Sequence, residues 1–98
     1  MKAARRFLEW ILIASIGGGN RVKILIKIFE KPYNANELSK TLNLDYKTTR
    51  YHLRFLQKNN LIISSRNDYG KVYYPSDYLE RNKDVFDEIC NKIGKKDK

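Results

Sequence analysis

Hydrophobic and polar positions recur with a helical period along most of the chain. From Phe7 to Ile16 the apolar residues Phe7, Leu8, Trp10, Ile11, Leu12, Ile13 and Ile16 fall on nearly every side of a helix. One small core cannot cover them all, so this helix wants two partners. Gly17-Gly18-Gly19 ends it, because glycine has no helical preference and supplies the positive φ of a helix C-terminus. Asn20 can cap the next helix, where Val22, Leu25, Ile26 and Phe29 recur at helical spacing with Arg21, Lys23 and Lys27 among them. Pro32 stops it. Asn34 and Glu37 read as a capping pair for a short helix that carries Leu38 and Leu42 inward and ends near Asn43.

Asp45 can cap a longer helix running to about Asn59. On that helix Tyr46, Thr49, Leu53 and Leu56 fall within about 80° of one another, and Lys47, Arg50, Arg54 and Lys58 occupy a similar arc on the opposite side. The first stripe is core; the second is a solvated face or a binding face. After Asn59-Asn60 the period changes. Leu61 to Ser65 and Lys71 to Pro75 are rich in β-branched and aromatic residues and flank the polar loop Arg66-Asn67-Asp68-Tyr69-Gly70, which predicts a hairpin. Ser76 or Asp77 then caps a last helix with Leu79, Phe86, Ile89, Cys90 and Ile93 as its stripe and Val85 at its edge, ended by Gly94 and a polar tail.

Two or three residues separate the short helix from the long one, and a hairpin follows. That order is a helix-turn-helix with a wing. The expected fold class is mainly α with a β-hairpin wing (α+β), a winged helix-turn-helix with additional N- and C-terminal helices for dimerisation. With 98 residues and no linker, repeat or low-complexity segment, one domain is expected. Residues 1–19 form its N-terminal helix and glycine turn, 20–75 the winged core and 76–98 the C-terminal helix and basic tail.

Charge sharpens this picture. Lys and Arg number 20 against 11 Asp and Glu, a formal net charge of +9, which draws polyanions. Cys90 is the only cysteine, so no intramolecular disulfide forms, and Cys90 reads as a small apolar residue on a helix face. The start of the chain, Met1 to Arg6 followed by an apolar run, mimics a signal peptide, but Glu9 interrupts the run. The run is also far short of the roughly 20 residues that span a bilayer. No membrane partner is expected, and a cytoplasmic, nucleoid-associated protein is.

The matching strings resemble the winged-helix repressors of the ArsR type and their archaeal relatives over about Asn20 to Tyr74. Arg21-Val22-Lys23-Ile24-Leu25 looks like the family's opening helix, and Asn36 to Leu42 like its first helix-turn-helix element. Thr48-Thr49-Arg50-Tyr51-His52-Leu53-Arg54-Phe55-Leu56, followed by Asn60-Leu61-Ile62, is similar to the recognition helix and the start of the strand after it. The resemblance implies that Lys47, Thr48, Arg50, Tyr51 and Arg54 face DNA and that His52 packs between helices. Arg can grip guanine O6 and N7 bidentately, Thr can serve a base or a phosphate, and Tyr can donate to phosphate. Arg66 and Lys71 flank the wing tip and suit a contact to an adjacent phosphate or the minor groove. The metal-sensing branch carries paired cysteines where this chain has Ser39 and Thr41, and no histidine accompanies the acids of the last helix. Metal sensing and cofactors are therefore not expected.

The function expected is a dimeric regulator of transcription that binds double-stranded DNA, reading the major groove with helix 45–59 and touching the backbone with wing 64–74. The homodimer would use Phe7, Trp10, Ile11, Leu79, Phe86, Ile89 and Ile93, since the terminal helices carry more apolar surface than one core needs. The alternatives are a sequence-indifferent chromatin protein and a winged-helix protein-interaction module. An enzyme is not expected, because paired carboxylates, a nucleophile with its base and a phosphate-binding glycine loop are all missing from the sequence.

Overall fold

The computed structural model describes residues 2–65 and 70–96. Helix α1 (Lys2–Glu9) runs straight into a π-helical turn (Trp10–Ala14), and the chain then reverses into α2 (Gly18–Glu30). A short strand β1 (Tyr33–Asn34) leads to α3 (Ala35–Leu42), α4 (Tyr46–Lys58), the strands β2 (Ile62–Ser64) and β3 (Val72–Pro75), and finally α5 (Asp77–Arg81) and α6 (Lys83–Lys96). The fold is a winged helix-turn-helix, mainly helical with a small antiparallel sheet.

Local chemistry fixes the central helices where the sequence predicted them. Asn34 Oδ1 accepts the Glu37 N–H at 2.7 Å and Glu37 Oε1 accepts the Asn34 N–H at 2.9 Å, a complete capping box for α3. Asn43 ends α3 in the left-handed region at φ 54°. Asp45 Oδ2 accepts the Thr48 N–H at 3.1 Å and starts α4. Leu25 of α2, Leu38 of α3, Leu53 and Leu56 of α4, Leu61 just before β2 and Ile62 in it meet in the core, fully buried.

Other expectations need correction. The glycines do not terminate the first helix. Gly17, at φ +88°, is the N-cap of α2, and Gly18 and Gly19 are its first turn, so Asn20 lies inside the helix rather than capping it. Gly18 is needed for close approach, because a Cβ there would sit 2.4 Å from the Leu12 carbonyl oxygen. The inward face of α2 is Arg21, Val22, Ile24, Leu25 and Ile28, with Phe29 packed at its margin, and Ile26 is exposed. The hairpin gains a third strand, in the order β1-β3-β2, with Tyr33 opposite Tyr73 and Ile63 opposite Tyr74. Two residues after a proline carry no readable alternation, which is why β1 escaped the periodicity.

The last helix is two helices. Ser76 caps α5 by accepting the Leu79 N–H at 3.0 Å. The Asn82 side chain then donates to the Tyr78 carbonyl at 2.9 Å, a local bond that competes with the helix and marks the break. Gly94 does not stop α6, which continues to Lys96.

The expected dimer face is also redrawn. Ile11, Leu79 and Ile89 are 0% exposed and Phe86 2%, so four of the seven residues belong to the protomer's own core. The reason is that α1 lies on α6, where the Arg5–Glu88 and Glu9–Lys92 ion pairs cross between them. The terminal helices thus cover much of each other's apolar surface.

Candidate nucleic-acid interface

Helix α4 is the second helix of the helix-turn-helix, and its two faces are chemically opposite. Thr49, His52, Leu53 and Leu56 point into the protein. Lys47, Tyr51 and Arg54 are exposed and Thr48 and Arg50 half-buried on the outer side. Tyr46, expected in the core stripe, is 48% exposed instead. It is the first residue of the helix and overhangs the edge of the core. Its hydroxyl lies 3.5 Å from Arg50 Nη1, so it joins the outer face. Tyr46, Lys47, Arg50, Tyr51 and Arg54 together line one shallow, open concavity.

The electrostatics of this face follow from its composition. No Asp or Glu occurs between Tyr46 and Lys58, and the Asp45 carboxylate is engaged by the Thr48 backbone. Among the described residues, Lys47, Arg50, Arg54 and Lys58 make no ion pair. An uncompensated row of cations interleaved with tyrosine hydroxyls can hold a polyanion, and the guanidinium forks can read or clamp planar acceptors. Lys58 shares the positive stripe but stands at the far end of the helix.

On the wing, Lys71 is exposed beside β3, and Arg66 lies outside the described residues. Ser65 closes the base of the loop, its N–H donating to the Val72 carbonyl at 2.9 Å and its hydroxyl accepting the Val72 N–H at 3.2 Å.

Of the residues expected at a dimer contact, Phe7 and Ile93 are half-buried and Trp10 is half exposed. Beside them, Ile13 in the π-helical turn is 41% exposed and Ile16, just after the turn, 97%. Cys90 is a half-buried thiol whose pKa burial pushes up, which disfavours the thiolate. Ser39 is buried and donates to the Asn36 carbonyl, while Thr41 is exposed. Among the described residues no three His, Cys, Asp or Glu side chains gather as a metal site would need, and no helix is long and apolar enough to cross a membrane.

The family model for bacterial regulatory proteins of the arsR family matches residues 18–64, from the start of α2 to the end of β2. No curated protein matches the sequence. Solved structures similar to this one include reduced HlyU from Vibrio cholerae, with a TM-score of 0.68 at 20% identity, covering 94% of this chain and 90% of that one. A second is the homodimeric winged helix-turn-helix DNA-binding domain Mb0332 from Mycobacterium bovis, with a TM-score of 0.64 at 17% identity over 98% of this chain and 84% of that one. A third is a MepR variant from S. aureus bound to an oligodeoxyribonucleotide, with a TM-score of 0.64 at 16% identity over 97% of this chain and 71% of that one. At such identities these likenesses establish the fold.

Proposed function

We propose that the protein is a dimeric regulator of transcription that binds double-stranded DNA through α4 and the wing. The observation that carries this reading is the basic face of α4, acid-free in sequence and without an ion pair among the described residues, presented by the second helix of a helix-turn-helix. An α-helix fits the major groove of B-DNA, which is about 12 Å wide. Arg50 and Arg54 are the candidates for base edges, Lys47 and Tyr51 for phosphates, and Thr48 for either. Tyr46, adjacent to Arg50, restricts where that guanidinium can point. Lys71, with Arg66, gives the wing two cations for a neighbouring phosphate. The similarity to a DNA-binding domain from M. bovis and to an oligodeoxyribonucleotide-bound MepR supports the same reading.

Dimerisation is proposed through the exposed apolar residues Trp10, Ile13 and Ile16 together with the half-buried Phe7 and Ile93. Two copies would bring two α4 helices to successive half-sites.

Selection of bound duplexes from a random pool, followed by competition with scrambled DNA, tests the function. The expected result is an enriched two-fold symmetric motif bound about 1,000-fold or more tighter than scrambled sequence. Tight binding without enrichment would make the protein a sequence-indifferent architectural one, and no binding at all would point to a protein partner for the basic face.

A further inference from the structure

Beneath α4 lies a polar seam that DNA contact does not explain. Arg21 is 2% exposed, yet no carboxylate pairs with it among the described residues. Its Nη1 donates to the Ile11 carbonyl at 3.2 Å and to Ser15 Oγ at 2.7 Å, which ties α2 to the π-helical turn. Its guanidinium lies 3.8 Å above the ring of Phe55 in α4. Trp10 of the turn approaches the same ring at 6.4 Å.

His52, one turn earlier on α4, is 5% exposed and borders the same seam. Its Nδ1 and the Nε of Arg21 are buried without a hydrogen-bond partner among the described residues. Gly17 fits between them only because it lacks a side chain. A Cβ there would lie 2.7 Å from His52 Cε1 and 3.6 Å from both Arg21 Nη2 and His52 Nδ1. The π-helical turn, the start of α2 and the recognition helix therefore meet at one point.

Among the described residues, the charges around His52 leave it no stabilising partner. Arg21 faces it from α2, and Tyr51 is its neighbour on α4, with ring centroids 5.4 Å apart. The segment from Trp10 to Gly19 has no ionisable side chain, and neither does β2. Glu37 and Lys40 of α3 are exposed to solvent. A proton on His52 would place a second buried cation beside Arg21, with no acid among the described residues to offset it.

We propose that Arg21 and His52 are positioning residues for α4, holding it against the π-helical turn while His52 is neutral and releasing it when His52 takes up a proton. The effect on DNA rests on the reading of α4 as the DNA-binding helix; the lock itself does not. Burial, and then the charge of Arg21, lower the pKa of His52 below the ordinary histidine value. The docked arrangement is thus fully stabilised above about pH 6.5 and weakens as pH falls through and below that value. Because only the docked form fits DNA, the apparent affinity follows the docked fraction.

Two measurements decide the matter, the first without DNA. In NMR spectra of the free protein between about pH 8 and pH 5, which spans the histidine range, the His52 ring should titrate below the ordinary value. The backbone amides of Ser15 to Gly19 and Tyr51 to Phe55 should shift with the same midpoint. In Arg21→Gln the midpoint should move up toward the ordinary value. In the second, duplex affinity at fixed ionic strength should fall on acidification by up to about tenfold per pH unit for each linked proton, and His52→Gln should flatten the profile. A His52 that titrates normally, or without moving those amides, overturns the lock. Tighter DNA binding on acidification, as a plain added cation would give, overturns its role in positioning α4. Coupled amide shifts in a protein that binds no duplex at any pH would uphold the lock and refute the DNA-binding reading.

Discussion

Alanine at Arg50 should cost about 1–3 kcal/mol of binding to a preferred duplex and flatten the preference at one position of each half-site. Arg50 is in the first half of α4, where side chains reach base edges, and it has no carboxylate partner among the described residues to hold it back. Lys58, the last residue of the same helix, can at most approach the backbone. Lys58→Ala should therefore weaken all sequences alike and lower the salt dependence by about one phosphate per protomer. Neither side chain is part of the core, so the melting temperature should hardly move in either variant. Binding of both variants to preferred and scrambled duplexes at one salt concentration separates the roles. Equal weakening on both duplexes by Arg50→Ala would make Arg50 an anchor, and no change on either would remove α4 from the interface.

Glutamate at both Ile13 and Ile16 should convert the dimer to an 11.6 kDa monomer in sedimentation equilibrium at micromolar protein. Ile16 is 97% exposed and Ile13 41%, so little of the protomer's own packing is lost. Full burial of one such side chain is worth about 1.5–3 kcal/mol, and the symmetric contact counts it twice. A charge left in its place adds a desolvation penalty. The substitutions should thus weaken association by a hundredfold or more while leaving the helical content intact. A double variant that stays dimeric would move the interface elsewhere, and a wild-type chain that sediments as a monomer would end the dimer reading.

How far the sequence reveals this architecture depends on the range of the forces involved. Caps are local, so Asn34 with Glu37 and Asp45 mark the starts of α3 and α4 directly. The inward and outward faces of α4 are likewise legible from spacing, Tyr46 excepted. What a helix packs against is not local. The periodicity identifies Phe86 and Ile89 as apolar, but that α1 packs against α6, the helix that carries them, is a tertiary fact. The glycine triplet shows the same limit. Glycine suits both the end and the start of a helix, and only the Leu12 carbonyl pressed against Gly18 decides which. Arg21 stands with Lys23 and Lys27 among the apolar positions of an amphipathic helix, and nothing in its neighbours predicts that Phe55 and the π-helical turn enclose it. Its burial links the candidate interface to the π-helical turn.

The most direct test of the central claim, that the basic face of α4 and the wing form a DNA-binding surface, is the salt dependence of duplex binding. A dimer neutralising about 6 phosphates should give a log-log slope of affinity against salt near −5. A slope near zero, or duplex binding that persists unchanged at high salt, would contradict it.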